Sequence, residues 1–373
     1  MNTRLLTREE KISWLRLART DRVGPVAFSR LLSLFGNPET ALKHLSQMAV
    51  NGGGKKIVPY SKEKAEQEFF AGEDKGAVLL AKCDPLYPDT LRHVKDSPSV
   101  IWALGRTSLL ENRFFGIVGS RNASLNGRNF TRKISAQINE AGYAVVSGMA
   151  IGIDRAAHEG SLDAPNGTIA VLGCGVDVVY PYENHDLYEQ IVQKGVIISE
   201  YPLQTQAKNT YFPQRNRIIS GISEGLLVVE AGEKSGSLIT ADFARKQKKK
   251  IFAVPSSPLD ERAGGCNRLI QNGAVLVQDV QDILRWMNPK EDKLLLKEST
   301  KEIPIPPLDE YVGPKLETAR QIVLRNLSVI PTDMDRLITD LHLPPNEVNA
   351  VLAELELAGR LEYHYPNRVS LVK

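Results

Sequence analysis

The sequence predicts an α/β protein: a doubly wound, mostly parallel sheet between a small N-terminal helical domain and a C-terminal winged helix. Three observations predict it. Between residues 80 and 288, seven short apolar runs alternate with amphipathic stretches, the pattern of parallel strands joined by right-handed helical crossovers. Residues 1–75 carry helical periodicity, and residues 317–373 carry three helical stripes followed by a hairpin. A polar stretch at 289–316, with Pro304, Pro306 and Pro307, reads as a linker. The 373 residues are ample for two or three domains of ~150 residues each.

In the first block, Trp14, Leu15, Leu17 and Ala18 recur at helical spacing, as do Leu31, Leu32, Leu34 and Phe35. Arg22-Val23-Gly24-Pro25 between them is a turn, with Pro25 suited to a first helical position. This pair of helices resembles helix-hairpin-helix and SAM-type modules, with only one glycine of the usual pair; a plain packing module is the rival reading. In the second block the apolar runs are 114–118, 144–146, 168–172, 196–198, 226–229, 251–254 and 274–277. In the third, helices at 317–327 and 332–341 precede one behind Pro344-Pro345, with Val348, Val351, Leu352 and Leu355 on one stripe. Apolar residues on both sides of Pro366-Asn367, within 360–372, complete a hairpin.

Composition removes several classes. Hydrophobic residues are 42% and charged residues 24%, which argues against wholesale disorder. No stretch reaches the ~18 apolar residues of a membrane helix, and the mixed-charge start has no apolar signal region. Cys83, Cys174 and Cys266 lie far apart with no CxxC pair, so neither a disulfide scaffold nor a cysteine zinc site is expected, and a cytoplasmic protein is. Net charge is +3, too small to announce a nucleic-acid binder by itself. Residues 1–75 balance 13 cations against 9 anions, whereas residues 317–373 balance 6 against 8. The densest run is Arg245-Lys246-Gln247-Lys248-Lys249-Lys250. It suits a solvated helix end and a phosphate contact through Lys248 about equally.

Ligands of a doubly wound sheet bind beyond the carboxyl ends of its strands, and three loops there share a chemistry. Gly119-Ser120-Arg121-Asn122 follows the first run and leads to a helix near Asn126-Gly127. The loop 147–154 carries Gly148 and Gly152 into a second helix, and 230–237 carries Ser235-Gly236-Ser237 into a third, with Ser237 as N-cap. Glycine admits a close ligand, exposed amides point outward, and hydroxyl or guanidinium groups complete an anion cradle. Before the fifth run, Tyr211-Phe212-Pro213-Gln214-Arg215-Asn216-Arg217 opens another helix. Arg215 and Arg217 there oppose the helix dipole, as cations do beside a bound anion, and Phe212 offers a stacking face or a core residue. Together these loops predict a phosphate-rich ligand.

Several near-matches fail. Gly221-Ile222-Ser223-Glu224-Gly225 fits GxSxG, but a helix precedes it and a strand follows, the reverse of a hydrolase elbow. Gly173-Cys174-Gly175 lacks a third glycine, and no Walker lysine follows any glycine loop. Asp154 and His158 stand four apart without a third metal ligand, so His158 reads as a packing residue. No nucleophile–base pair stands out, and neither a metal nor a cofactor is expected.

The ordered motifs GIVGSRNAS, SGMAIGIDRAAHEG, VLGCGVDVVYPYENHDLYEQI, ISEYP, YFPQRNRIISGISEGLLVVEA and SGSLITADFA resemble the DNA-processing protein A family (DprA, also called Smf) over residues 80–285. The resemblance implies an extended Rossmann-like domain that binds and shields single-stranded DNA, loads RecA recombinase during natural transformation, and acts as a homodimer without catalysis. It implies a DNA site at Gly119, Ser120, Arg121, Gly148, Gly152, Phe212, Arg215, Asn216, Arg217, Ser235, Gly236 and Ser237. The chain departs from the family at Val254-Pro255-Ser256, where Val-Pro-Gly is usual; a left-handed conformation there would disfavour serine. Two rivals were weighed. A phosphoribohydrolase-like, nucleotide-processing enzyme would need a glutamate after the glycine turn, and the loop EAGEKSGSLITA lacks it at that spacing. A duplex-DNA regulator would need a basic third helix in the last block, which instead carries Glu347, Glu354 and Glu356.

Overall fold

A computed structural model describes residues 3–51, 56–287 and 316–372, the last range without 342, 346–347, 349–350, 353–354, 356–359 and 365–367. The expected linker, Glu347, Glu354, Glu356 and the hairpin tip at Pro366-Asn367 lie outside the described residues. The chain divides into two compact units, residues 1–299 and 300–373.

The first unit opens with four helices: α1 (Arg8–Arg19), α2 (Pro25–Phe35), α3 (Pro38–Asn51) and α4 (Lys62–Asp74). Helix α1 starts in a capping box. Thr7 Oγ1 accepts from the Glu10 N–H, and Glu10 accepts from the Thr7 N–H, which satisfies two amides that a helix end leaves free. Pro25 is the first residue of α2, the one interior place where its missing N–H costs nothing. Arg22 turns the chain before it with φ 65°.

The sheet follows as β1 (Ala77–Ala81), the short α5 (Asp89–Arg92), β2 (Val100–Gly105), β3 (Arg113–Gly119), α6 (Leu125–Glu140), β4 (Tyr143–Ser147), α7 (Ile153–Ser161), β5 (Thr168–Val171), α8 (His185–Lys194) and β6 (Val196–Ser199). It continues through α9 (Tyr211–Ile222), β7 (Gly225–Val229), α10 (Gly236–Lys246), β8 (Lys250–Ala253), α11 (Gly264–Gln271), β9 (Val275–Leu276) and α12 (Val280–Met287). Strand order is β1-β2-β6-β5-β4-β3-β7-β8-β9. All seven expected runs are strands and pair in parallel with one another. The two that periodicity did not indicate, β1 and β2, extend one edge antiparallel. The central strands β4, β5 and β7 are buried along their whole length, as strands covered on both faces must be.

Packing does not break at the expected boundary near residue 75. Trp14, Leu15 and Leu17 of α1 share one core with Leu79 of β1, Trp102 of β2 and Ile197 of β6. A buried polar joint locks the two parts: Arg19 pairs with Glu68 at 2.8 Å and donates to the Glu200 carbonyl, while the Trp102 indole donates to Glu68.

The second unit has α13 (Leu316–Asn326), β10 (Thr332–Asp333), α14 (Met334–Leu341), β11 (Leu361–His364) and β12 (Arg368–Leu371). Val348, Val351, Leu352 and Leu355 are helical and buried with Val323, Leu337 and Val369. The three short strands pair in the order β10-β12-β11, the wing beside the helices. Thr332 and Asp333, expected at the start of a helix, instead pair with Val369 and Arg368.

Candidate functional site

The cleft opens where the winding of the sheet reverses. From β3 the chain crosses to β4 on one side, whereas β7 lies on the other side of β3. Loops leaving β3 and β7 therefore diverge and leave a crevice at the strand ends. It has a volume of about 640 Å³ and is lined by Gly119, Ser120, Arg121 and Asn122, by Phe212, Arg215 and Asn216, and by Lys234, Ser235, Gly236 and Ser237. Of the expected residues it thus gathers most from three distant loops. Gly119 is there because a Cβ would strike the Val229 carbonyl, and Gly152 because its φ of 83° brings it against the Ser120 carbonyl.

The three helix ends are not equivalent. At α6, Ser124 caps the helix by accepting from the Gly127 N–H at 2.8 Å, and the Glu230 carboxylate accepts from the Ser124 N–H and hydroxyl. An internal anion already occupies that positive pole. At α7, the Ile153 N–H donates to the Ser120 carbonyl, and Asp154 accepts from the Ala150 N–H. Only α10 stays open toward the cleft: it has no acid in its first turn, and Gly236 is exposed. Its N-cap is Ser235, not the expected Ser237; the Ser235 hydroxyl accepts from the Ser237 N–H and bonds the Ser237 hydroxyl at 2.7 Å.

The cations also separate. Arg121 is exposed, forms no ion pair among the described residues, and holds its guanidinium 5.6 Å from the Phe212 ring centre. Lys234 is exposed in the loop before α10. Arg215 is only 4% exposed and donates to the Gly148 and Val171 carbonyls, clamping the ends of β4 and β5. Gly148 is small because a Cβ would collide with that guanidinium and with Asp154. Burial raises the Asp154 carboxyl above its ordinary range, and the Arg215 charge partly offsets this. Arg217 does not line the cleft. It pairs with Glu200 and donates to the Asp96 carbonyl at 2.8 Å. Lys248 also lies elsewhere, between α10 and β8 at the amino end of the strands.

Phe212 is half-buried against Gly173, with Tyr180 stacked on it at 5.3 Å and 28°. Neither the free platform nor the plain core residue describes it: one face is covered, and the ring borders the cleft beside Arg121. Asn216 reaches across to the Gly236 carbonyl at 3.5 Å. Sequence reasoning passed over Lys234 and Tyr180. The lysine had a signal, a cation next to a Ser-Gly helix start; the tyrosine had none, since only folding brings it to Phe212.

The rejected motifs behave as packing. His158 Nδ1 donates to Thr168 Oγ1 at 2.7 Å, because that hydroxyl itself donates to the Val145 carbonyl. Burial and the Arg215 charge lower His158 to about 3, so the ring is neutral. Ser223 is buried at the end of α9 and donates to the Ile219 carbonyl. The three cysteines are buried and free. Ser256 is not among the described residues with positive φ, so the departure from Val-Pro-Gly is accommodated; Asn267 bonds both its N–H and its carbonyl.

Fold and cleft define the class: a doubly wound α/β protein with an open, cation-bearing crevice at the switch point, flanked by a helix-hairpin-helix and a winged helix. Comparison with known proteins specifies it further. The family model of DNA recombination-mediator protein A matches residues 78–288, that of the DprA-like N-terminal HHH domain residues 8–71, and that of the DprA winged helix domain residues 311–364. Protein Smf of Synechocystis sp. is 33% identical over 95% of this chain and 97% of its own. The structure of DNA processing protein A from Streptococcus pneumoniae is similar with TM-score 0.62 and 30% identity, over 75% of this chain and 98% of that one. DNA processing protein A from Helicobacter pylori, described for its single-stranded DNA binding mode, is similar with TM-score 0.51 and 28% identity, over 59% and 96%. The chain belongs to the DprA/Smf family.

Proposed function

We propose that this protein binds single-stranded DNA in the cleft above β3 and β7, shields it, and passes it to RecA recombinase during DNA uptake and recombination. In this reading it acts as a cytoplasmic homodimer without catalysis. The observation that carries it is the combination of an unpaired Arg121, an exposed Lys234 and the open pole of α10 around one aromatic-walled crevice. Such a site suits a backbone of phosphates with bases of any sequence. The Helicobacter pylori relative supports the choice of single strands.

The roles divide accordingly. Arg121 and Lys234 meet phosphates. Ser120, Gly236 and Ser237 offer amides and hydroxyls, and Phe212 with Tyr180 presents the aromatic wall. Arg215, Gly148 and Gly152 shape the floor. The nucleotide-processing alternative needs a free acid in the loop before α10, and both acids there are engaged: Glu230 caps α6, and Glu233 pairs with Arg268. A salt titration of binding to an unstructured oligonucleotide, a duplex and free nucleotides tests the reading. Tight, salt-sensitive binding to the oligonucleotide is expected. Preference for free nucleotides with turnover would replace it with the enzyme.

A further inference from the structure

Beside the main cleft lies a second depression of about 330 Å³ that shares Arg121 with it. Its lining carries four arginines, Arg121, Arg128, Arg132 and Arg155, against two glutamates, Glu159 and Glu183. Two of the arginines are spent inside the fold. Arg132 and Arg155 both bond Glu159 at 2.7 Å, and Arg155 also pairs with Asp186 at 2.7 Å. Arg128, on the first turn of α6, is exposed and forms no ion pair among the described residues. With Arg121 it makes two cations in a row without internal anions.

The wall between the two depressions is one short segment. Tyr180 stacks on Phe212 in the main cleft, and Glu183 and Asn184 line the second depression. Tyr182 between them is 78% exposed, and its ring touches only His185, at 5.6 Å between centres. Leu125 and Ile151, 63% and 41% exposed, border the same depression. Exposed tyrosine and aliphatic side chains next to unpaired arginines form a surface that costs desolvation unless something covers it. Bases and phosphates in alternation supply both halves of that cover.

We propose that the single strand does not end at the main cleft but continues past Arg121 into this depression, where Arg128 takes a further phosphate and Tyr182 a further base. The inference rests on the single-strand reading of the main cleft and gives that site a direction and a length. The solvated-surface alternative predicts that neither side chain matters for any ligand.

The test uses the full chain and unstructured oligonucleotides of ~4 to ~10 nucleotides. The wild type should gain affinity over this series. Arg128→Gln should bind the shortest oligonucleotide as the wild type does, lose the gain on lengthening, and show a log–log salt slope smaller by ~0.7 on the long ligand only. Tyr182→Ala should lose about tenfold on the long ligand with its salt slope unchanged. Both side chains are exposed, and unaltered thermal melts check that the fold is intact. Equal loss on short and long ligands, or no loss in either variant, overturns the second subsite while leaving the main cleft standing. If the wild type binds no single strand of any length, the reading of the main cleft falls and takes this inference with it.

Discussion

Arg215 is a cation held in the interior by main-chain carbonyls, Arg217 one held by a carboxylate, and Arg121 one held by neither. Their variants should therefore fail in different ways. Arg217→Ala would leave Glu200, whose carboxyl burial already pushes upward, without its partner in the interior. Breaking such a pair typically costs ~3–5 kcal/mol. A clearly lower melting temperature is expected, with any binding defect following from it. Arg121→Ala should melt as the wild type does, weaken single-strand binding for every sequence, and reduce the salt slope by ~0.7. An Arg121 variant with unchanged affinity and slope would remove this residue from the site. Sequence alone makes Arg215 and Arg217 look like Arg121, because all three follow turns at strand ends. What distinguishes them is distant in the chain: the Gly148 and Val171 carbonyls for one, Glu200 and Asp96 for the other. Local pattern has no access to those partners.

At the scale of elements, every strand that needs a crossover helix was legible, because the switch between apolar runs and 3.6-residue stripes marks it. Strands β1 and β2 were not, since an antiparallel edge needs no crossover and their short apolar runs resemble buried loop or helix ends. That edge is nonetheless what holds the N-terminal helices. Trp102 of β2 meets Glu68 of α4, and Gly72 of α4 lies so close to the Trp102 ring that a Cβ would overlap it. Glu68 also receives Arg19, and the side chains are only 13% and 8% exposed, Arg19 first. Glu68→Ala would strand the Arg19 charge and free the indole N–H at once, a loss of about 3–5 kcal/mol. The expected result is a lower melting temperature and early proteolytic release of residues near 56–61, with the cleft itself intact. A variant as stable and protease-resistant as the wild type would show that apolar packing alone seats these helices.

The whole molecule assigns its tasks unevenly between two units. All the residues that line the cleft fall between Val118 and Arg262, inside the first unit, and that unit closes its own cores with residues up to Ile283. The second unit closes a separate core, from Ala319 to Val369, and its sequence 317–373 balances 6 cations against 8 anions. A net acidic module gains no counterion-release energy from a phosphate backbone, the term that dominates DNA affinity. A winged helix reads DNA through a helix that must approach phosphates closely, so a protein partner or a modulating role suits this one better. A chain ending near Pro289 should accordingly fold and keep most of its single-strand affinity and nearly all of its salt slope. The measurement is the same titration on the shortened and full chains, paired with thermal melts. Should the shortened chain melt normally yet bind orders of magnitude more weakly, the acidic unit carries DNA contacts after all, and the division of labour argued here is wrong.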